Sequence, residues 1–140
     1  MIDYNKFEKA LKHLELQNEN YKLKKNLPDL AEIDKEAIAE SVIQRFETCY
    51  DCLWKVLKRY LGEELGIPEV PNSPKGILRL AYENKLFTSG IKIWFGYAQA
   101  RIDTTHDYSE EKAYDALVIM DDFISDAIDL YIVMSQQAWE

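Results

Sequence analysis

Arg101, His106 and Tyr108 stand together in the stretch RIDTTHDY, residues 101–108, which joins two strongly helical segments and holds one of the chain's two histidines. A guanidinium beside an imidazole suits phosphate chemistry. Arginine can clamp non-bridging oxygens and stabilise the charge of a pentacovalent transition state, and a near-neutral histidine can move the proton. Without a metal the nucleophile must be internal to the substrate, and RNA supplies one in its 2′-hydroxyl where DNA does not. Asp103 is placed to orient either residue. The simpler alternative pairs Arg101 with Asp103, Asp107 or a carboxylate of a neighbouring helix and leaves His106 to cap carbonyls at a helix end.

Residues five apart on an unbroken helix lie about 140° apart around its axis. Arg101 and His106 therefore share a face only if a helix ends between them. The β-branched pair Thr104 and Thr105, just ahead of a capping Ser109, predicts such an end.

The elements that must position this stretch are helices. Tyr4, Phe7, Leu11 and Leu14 recur at spacings of three and four, which predicts an amphipathic helix to about Lys25, broken by Pro28. From about Asp34 to Leu61 one apolar row runs through Ile38, Val42, Phe46, Cys49, Leu53, Val56, Leu57 and Tyr60. A second row of Ile43, Tyr50, Trp54 and Leu61 widens the stripe, which predicts packing on two sides, one of them against another subunit. Ser73 as N-cap and Pro74 at the first helical position open a short helix. Another begins near Ser89, with Ile91, Trp94, Phe95, Ala98 and Ile102 at helical spacings and Arg101 on its last turn.

Ser109, followed by Glu110 and Glu111, starts a last helix that buries Ala113, Leu117, Met120, Ile124, Ile128 and Tyr131. Asp115, Asp122, Asp126 and Asp129 then run down a solvated face. The predicted fold is all-α, an up-and-down four-helix bundle with an additional short helix, and residues 1–140 form a single domain.

Composition agrees with that fold and narrows the functions. Hydrophobic residues at 47% and aromatics at 12% exclude disorder, while 5 glycines and 4 prolines leave little room for turn-rich β architecture. A net charge of −8 argues against a protein that coats nucleic acid, so contact with RNA must be local and DNA is not an expected partner. No apolar run approaches a membrane span, and a cytoplasmic protein is expected. Cys49 and Cys52 form a C-x-x-C with no other cysteine to complete a zinc site and no preceding strand for a redox site, so both read as helical thiols. No metal ligand set and no cofactor are expected. Lys55, Lys58 and Arg59 form a basic stripe, either a solvated face or a contact for RNA phosphates or a partner protein.

Three blocks carry a family resemblance: VIQRFETCYDCLWKVLKRYL, SPKGILRLAYENKLF and WFGYAQARIDTTHDYSEEKA, within about residues 38–115. Gln44, Phe46, Glu47, Trp54 and Lys55 mark the first block, Trp94 precedes Arg101 by seven residues, and Arg101, His106 and Tyr108 satisfy Arg-x4-His-x-Tyr. In these the chain resembles HEPN-domain proteins of the nucleotidyltransferase substrate-binding family.

The resemblance implies a helical-bundle homodimer whose two Arg-x4-His elements approach across the interface, and a minimal nucleotidyltransferase as partner. It implies a toxin-antitoxin module in which this chain is a metal-independent ribonuclease with Arg101 and His106 as its catalytic pair. Tyr108 is then the residue to which the partner adds AMP. The alternative under the same resemblance is a non-catalytic nucleotide- or substrate-binding subunit of a two-component nucleotidyltransferase. One position departs from the pattern: a polar residue, often asparagine, usually follows the arginine, and here Ile102 does, with Asp103 one step later. Isoleucine cannot hydrogen-bond a phosphate or orient the histidine.

Overall fold

Apolar spacing and local caps build six helices: α1 (Asn5–Lys24), α2 (Glu32–Glu63), α3 (Pro74–Glu83), α4 (Ile91–His106), α5 (Glu110–Val118) and α6 (Met120–Ser135). The computed structural model describes residues 1–106 and 109–140, with His106 described by its backbone alone. α1, α2, α4 and the α5–α6 pair are the four members of the bundle, and α3 is the short addition. The last member is not one helix. It breaks at Ile119, whose N–H donates to the Ala116 carbonyl at 3.3 Å, the tight i to i−3 bond of a final turn.

α2 is the spine of the bundle. Val42, Phe46, Cys49, Leu53 and Leu57 of its first apolar row are buried, and so are Ile43, Tyr50 and Leu61 of its second, while Trp54 is partly exposed. α1 and α3 to α6 all pack against α2. One chain thus buries three of the four residues of the second row, Trp54 excepted, so the width of the stripe does not by itself call for another subunit.

α1 runs antiparallel to α6. The Tyr4 hydroxyl donates to the Met134 carbonyl at 3.3 Å, Tyr131 to Glu8 at 2.5 Å, and Asn18 to Asp121 at 2.8 Å. The centre is aromatic: Phe46 and Phe123 meet edge-on at 4.9 Å, Phe123 meets Tyr97 at 5.2 Å, and Trp94 stacks on Phe87 at 4.1 Å. Trp94 is a core residue, 1% exposed.

The acidic row of the last helix is not uniformly solvated. Asp115 and Asp122 are exposed, but Asp126 is buried and accepts from Ser89 Oγ at 2.6 Å and from the Tyr97 hydroxyl. A buried carboxylate persists when both oxygens take hydrogen bonds, and here those bonds tie the start of α4 to α6. Burial, and then the bond to Asp126, push the Tyr97 phenol well above its usual range.

At the entrance of α6, Lys22 lies 3.0 Å from Asp121 and holds its carboxyl below the usual carboxylate range. A depressed carboxylate contributes stability above its ordinary titration range and loses it as pH falls through the lowered value. Asp121→Asn should therefore melt below the parent at neutral pH, and the gap should close as the pH falls below the ordinary carboxylate range. A gap that persists in acid would show that the ion pair is not its source.

α3 starts where local rules place it. Ser73 Oγ accepts the Gly76 amide at 3.3 Å, and Pro74 occupies the first helical position. Gly76 has to be small, because a Cβ there would lie 2.8 Å from Ser73 Oγ and 2.9 Å from Pro71 Cβ. Overpacking costs about 1–3 kcal/mol, and alanine's better helix propensity offsets at most about 1 kcal/mol. Gly76→Ala should therefore lower the urea midpoint, whereas an unchanged midpoint would mean that the Pro71 turn yields freely.

Candidate functional site

A cleft of about 540 Å³ opens between α2, the start of α3 and the second half of α4. Tyr50, Asp51 and Trp54 come from α2, Ser73, Pro74 and Lys75 from the start of α3, and Ala98, Arg101, Ile102 and Thr105 from α4. The α4 positions share one face because they recur at spacings of three and four.

Arg101 is the best-fixed side chain in this wall. Its Nε and Nη2 grip Asp51 at 3.3 and 3.0 Å, its Nη1 reaches Glu47 at 3.2 Å, and Nη1 also meets Thr105 Oγ1. Thr104 donates to the same Glu47 oxygen at 2.8 Å. Four of the five guanidinium N–H groups are thereby engaged, which leaves one on Nη2. The two-pronged grip that would hold phosphate oxygens holds a carboxylate instead. Asp51, the nearer partner, raises the arginine's already high pKa further.

α4 does not end at Thr104 and Thr105. Both hydroxyls bond back to the Arg101 carbonyl, at 3.3 and 3.1 Å, and Thr104 adds the bond to Glu47, so the β-branched pair is held inside the helix. The expected helix end between Arg101 and His106 is therefore corrected: α4 continues through His106. Within one chain the two residues lie about 140° apart around α4 and do not share a face. His106 follows Ile102 by one turn, about 40° around the axis, and Ile102 lines the cleft at 43% exposure. The His106 side chain and Tyr108, the expected proton-transfer and modification groups, lie outside the described residues.

Asp103 accepts from Gln99 at 3.0 Å and lies 3.6 Å from Lys112, so it joins α4 to α5 and does not bond Arg101. In the basic stripe, Arg59 pairs with Glu63 at 2.8 Å and Lys58 donates to Asn72 at 2.8 Å, while Lys55 is exposed above the Trp54 ring. Two of the three cations thus already have partners. Cys49 is buried and Cys52 partly so, and burial pushes both thiols up, as in inert helical cysteines. Among the described residues no group of three His, Cys, Asp or Glu is placed to hold a metal ion. No described helix is long and apolar enough to cross a membrane.

Sequence reasoning missed Asp51, gave Glu47 no part in the site, and read Tyr50 as apolar packing alone. A signal was available: Glu47 and Asp51 lie four apart on α2 and flank the buried Cys49 and Tyr50. Two carboxylates beside a buried row call for a cation from a facing element.

The family model described as nucleotidyltransferase substrate binding protein like matches residues 2–136. A crystal structure of a protein from Thermus thermophilus superposes with a TM-score of 0.70 at 29% identity, covering 89% of this chain and 94% of that one. No curated protein sequence matches the chain.

Proposed function

Because the chain belongs to the nucleotidyltransferase substrate binding protein like family, we propose that it is the helical component of a two-protein module with a minimal nucleotidyltransferase, and that it cuts RNA without a metal. The observation that carries this reading is Arg101, fixed in the wall of the cleft by Asp51 and Glu47 with one N–H unspent, five residues ahead of His106 at the end of α4. His106 takes the proton from the 2′-hydroxyl, whose oxygen bonds the adjacent phosphorus as the P–O5′ bond breaks, leaving a 2′,3′-cyclic phosphate, and the 5′-oxygen departs as a hydroxyl with a proton from water. The remaining Nη2 N–H of Arg101 contacts a phosphate oxygen, and Asp51 and Glu47 fix the plane of the guanidinium.

Since the two residues face apart on one helix, the Arg101 and His106 that act on one phosphate come from two chains, and a homodimer is part of this proposal. Mixing two inactive variants tests it. Arg101→Ala and His106→Ala chains, unfolded and refolded together, should regain about a quarter of parental cleavage, because half the dimers are mixed and each then has one intact site. No recovery would refute pairing across subunits.

A second reading has an observation of its own. The filled fork of Arg101 and the apolar Ile102 beside it suit a non-catalytic subunit that binds substrate for the nucleotidyltransferase. Either way the partner acts on this chain, with Tyr108 as acceptor of AMP. Incubation with that partner and ATP should add the mass of one or more AMP groups to the parent and none to Tyr108→Phe; equal gains in both would place the modification elsewhere.

A further inference from the structure

The cleavage reading leaves a second groove unused, on the face where the end of α1 and the start of α2 meet α5. Its volume is about 660 Å³, and Tyr21, Ala39, Ile43, Ala113 and Leu117 give it an apolar lining. Apolar surface continues outward from it. Tyr114, in the groove wall, is 66% exposed, and Ile33 and Val118, at helical spacings from Glu40 and Tyr114, are 70% and 62% exposed. Apolar side chains that two elements leave in water on one face are the kind of surface that another protein covers.

The rim decides which kind of protein. Glu32, Glu36 and Glu40 stand along one side of α2, and Glu110 lines the groove from α5. Lys35, 3.5 Å from Glu32, is the one cation paired with any of the four among the described residues. Glu32 and Glu110 lie in the first turns of their helices, where the macrodipole favours a carboxylate. That effect fades within a turn and does not account for Glu36 and Glu40.

Among the described residues no three such groups are placed to hold a metal ion, and four carboxylates repel the phosphates of RNA or of an anionic membrane. A second copy of the chain is a poor match as well: it carries a net charge of −8, and in its basic stripe Arg59 and Lys58 are already bonded to Glu63 and Asn72. The complement is a protein segment with apolar residues on one side and lysine or arginine beside them.

We propose that this groove receives a basic, amphipathic segment of the nucleotidyltransferase partner. The inference rests on the two-protein reading above, not on RNA cleavage, and adds where the partner is held and by what chemistry. Ser109 lines the groove and follows Tyr108 in the sequence, so the partner is seated one residue along the chain from the tyrosine proposed to accept AMP.

Calorimetric titration of the full chain with the purified nucleotidyltransferase tests the groove. The double variant Glu36→Lys, Glu40→Lys should bind about tenfold or more weakly than the parent, and Tyr114→Ala about tenfold more weakly with no fall in melting temperature. Glu69→Lys with Glu83→Lys makes the same change in net charge at two exposed positions outside the groove and should bind like the parent. Parental affinity should also fall as salt is raised. Equal affinities in the two double variants would overturn the groove as the docking site while leaving the two-protein module standing. A parent that binds no nucleotidyltransferase would overturn that module and this inference with it. If the groove variant instead changes the sedimentation of the chain alone, the occupant is a second copy and the partner assignment is wrong.

Discussion

His106→Ala should slow cleavage of single-stranded RNA by about 10²–10⁴-fold, the usual contribution of a positioned general base. Its melting temperature should barely move. His106 is the last residue of α4, where a cationic side chain typically adds about 0.3–1 kcal/mol through the helix dipole. Cleavage rates and thermal melting measured on one preparation separate the two effects. A variant that cuts like its parent would remove the histidine from the mechanism, and one that loses activity only in proportion to lost folded protein would make its role structural.

Arg101→Met should be the most damaging single change in the cleft wall. Removing the guanidinium leaves Glu47 and Asp51, one turn apart on α2, with no counter-charge, and frees Thr104 and Thr105 from part of their network. Breaking a buried pair costs about 3–5 kcal/mol and an exposed one about 0–1 kcal/mol. The Arg101 side chain is 25% exposed, Glu47 24% and Asp51 40%, so solvent screening places the loss between those limits, at about 1–3 kcal/mol. Arg101→Lys should recover only part of it, because an ammonium cannot reproduce the two-pronged contact.

Asp51→Asn separates the roles of Arg101. If the arginine acts through the position that Asp51 gives it, this variant loses both stability and cleavage, and a double-mutant cycle with Arg101→Met shows strong coupling. If Asp51 only withholds the fork from phosphate, the variant instead binds RNA more tightly. The first outcome is expected, since the fork is aligned by that carboxylate.

Local chemistry was readable from the sequence and long-range pairing was not. Ser73 and Ser109 cap α3 and α5 because a hydroxyl three residues ahead of an amide acts within one turn. The apolar rows of α2 were equally plain, but a row says only that it is covered, not by what, and here the other helices of the same chain bury all of the second row but Trp54. The break at Ile119 has neither proline nor glycine to announce it. Asp126 looked like its solvated neighbours because the hydroxyls that satisfy it, from Ser89 and Tyr97, are 37 and 29 residues away.

The candidate site followed the same division. The types and spacing of Arg101, His106 and Tyr108 were on the surface of the sequence, whereas the partners of Arg101 lie 50 and 54 residues away on α2. The threonines misled for a physical reason: helix propensity is a weak prior, and back-bonding to Arg101 together with the bond to Glu47 outweighs it.

Cleavage of a labelled single-stranded RNA by the parent protein in excess EDTA, with the fragment ends identified by mass, addresses the central claim directly. The account predicts cutting at an undiminished rate and fragments that end in 2′,3′-cyclic phosphate, because the attacking oxygen is the neighbouring hydroxyl and the proton goes to His106. Cutting that appears only when magnesium is restored, or fragments that carry 5′-phosphates, would contradict it.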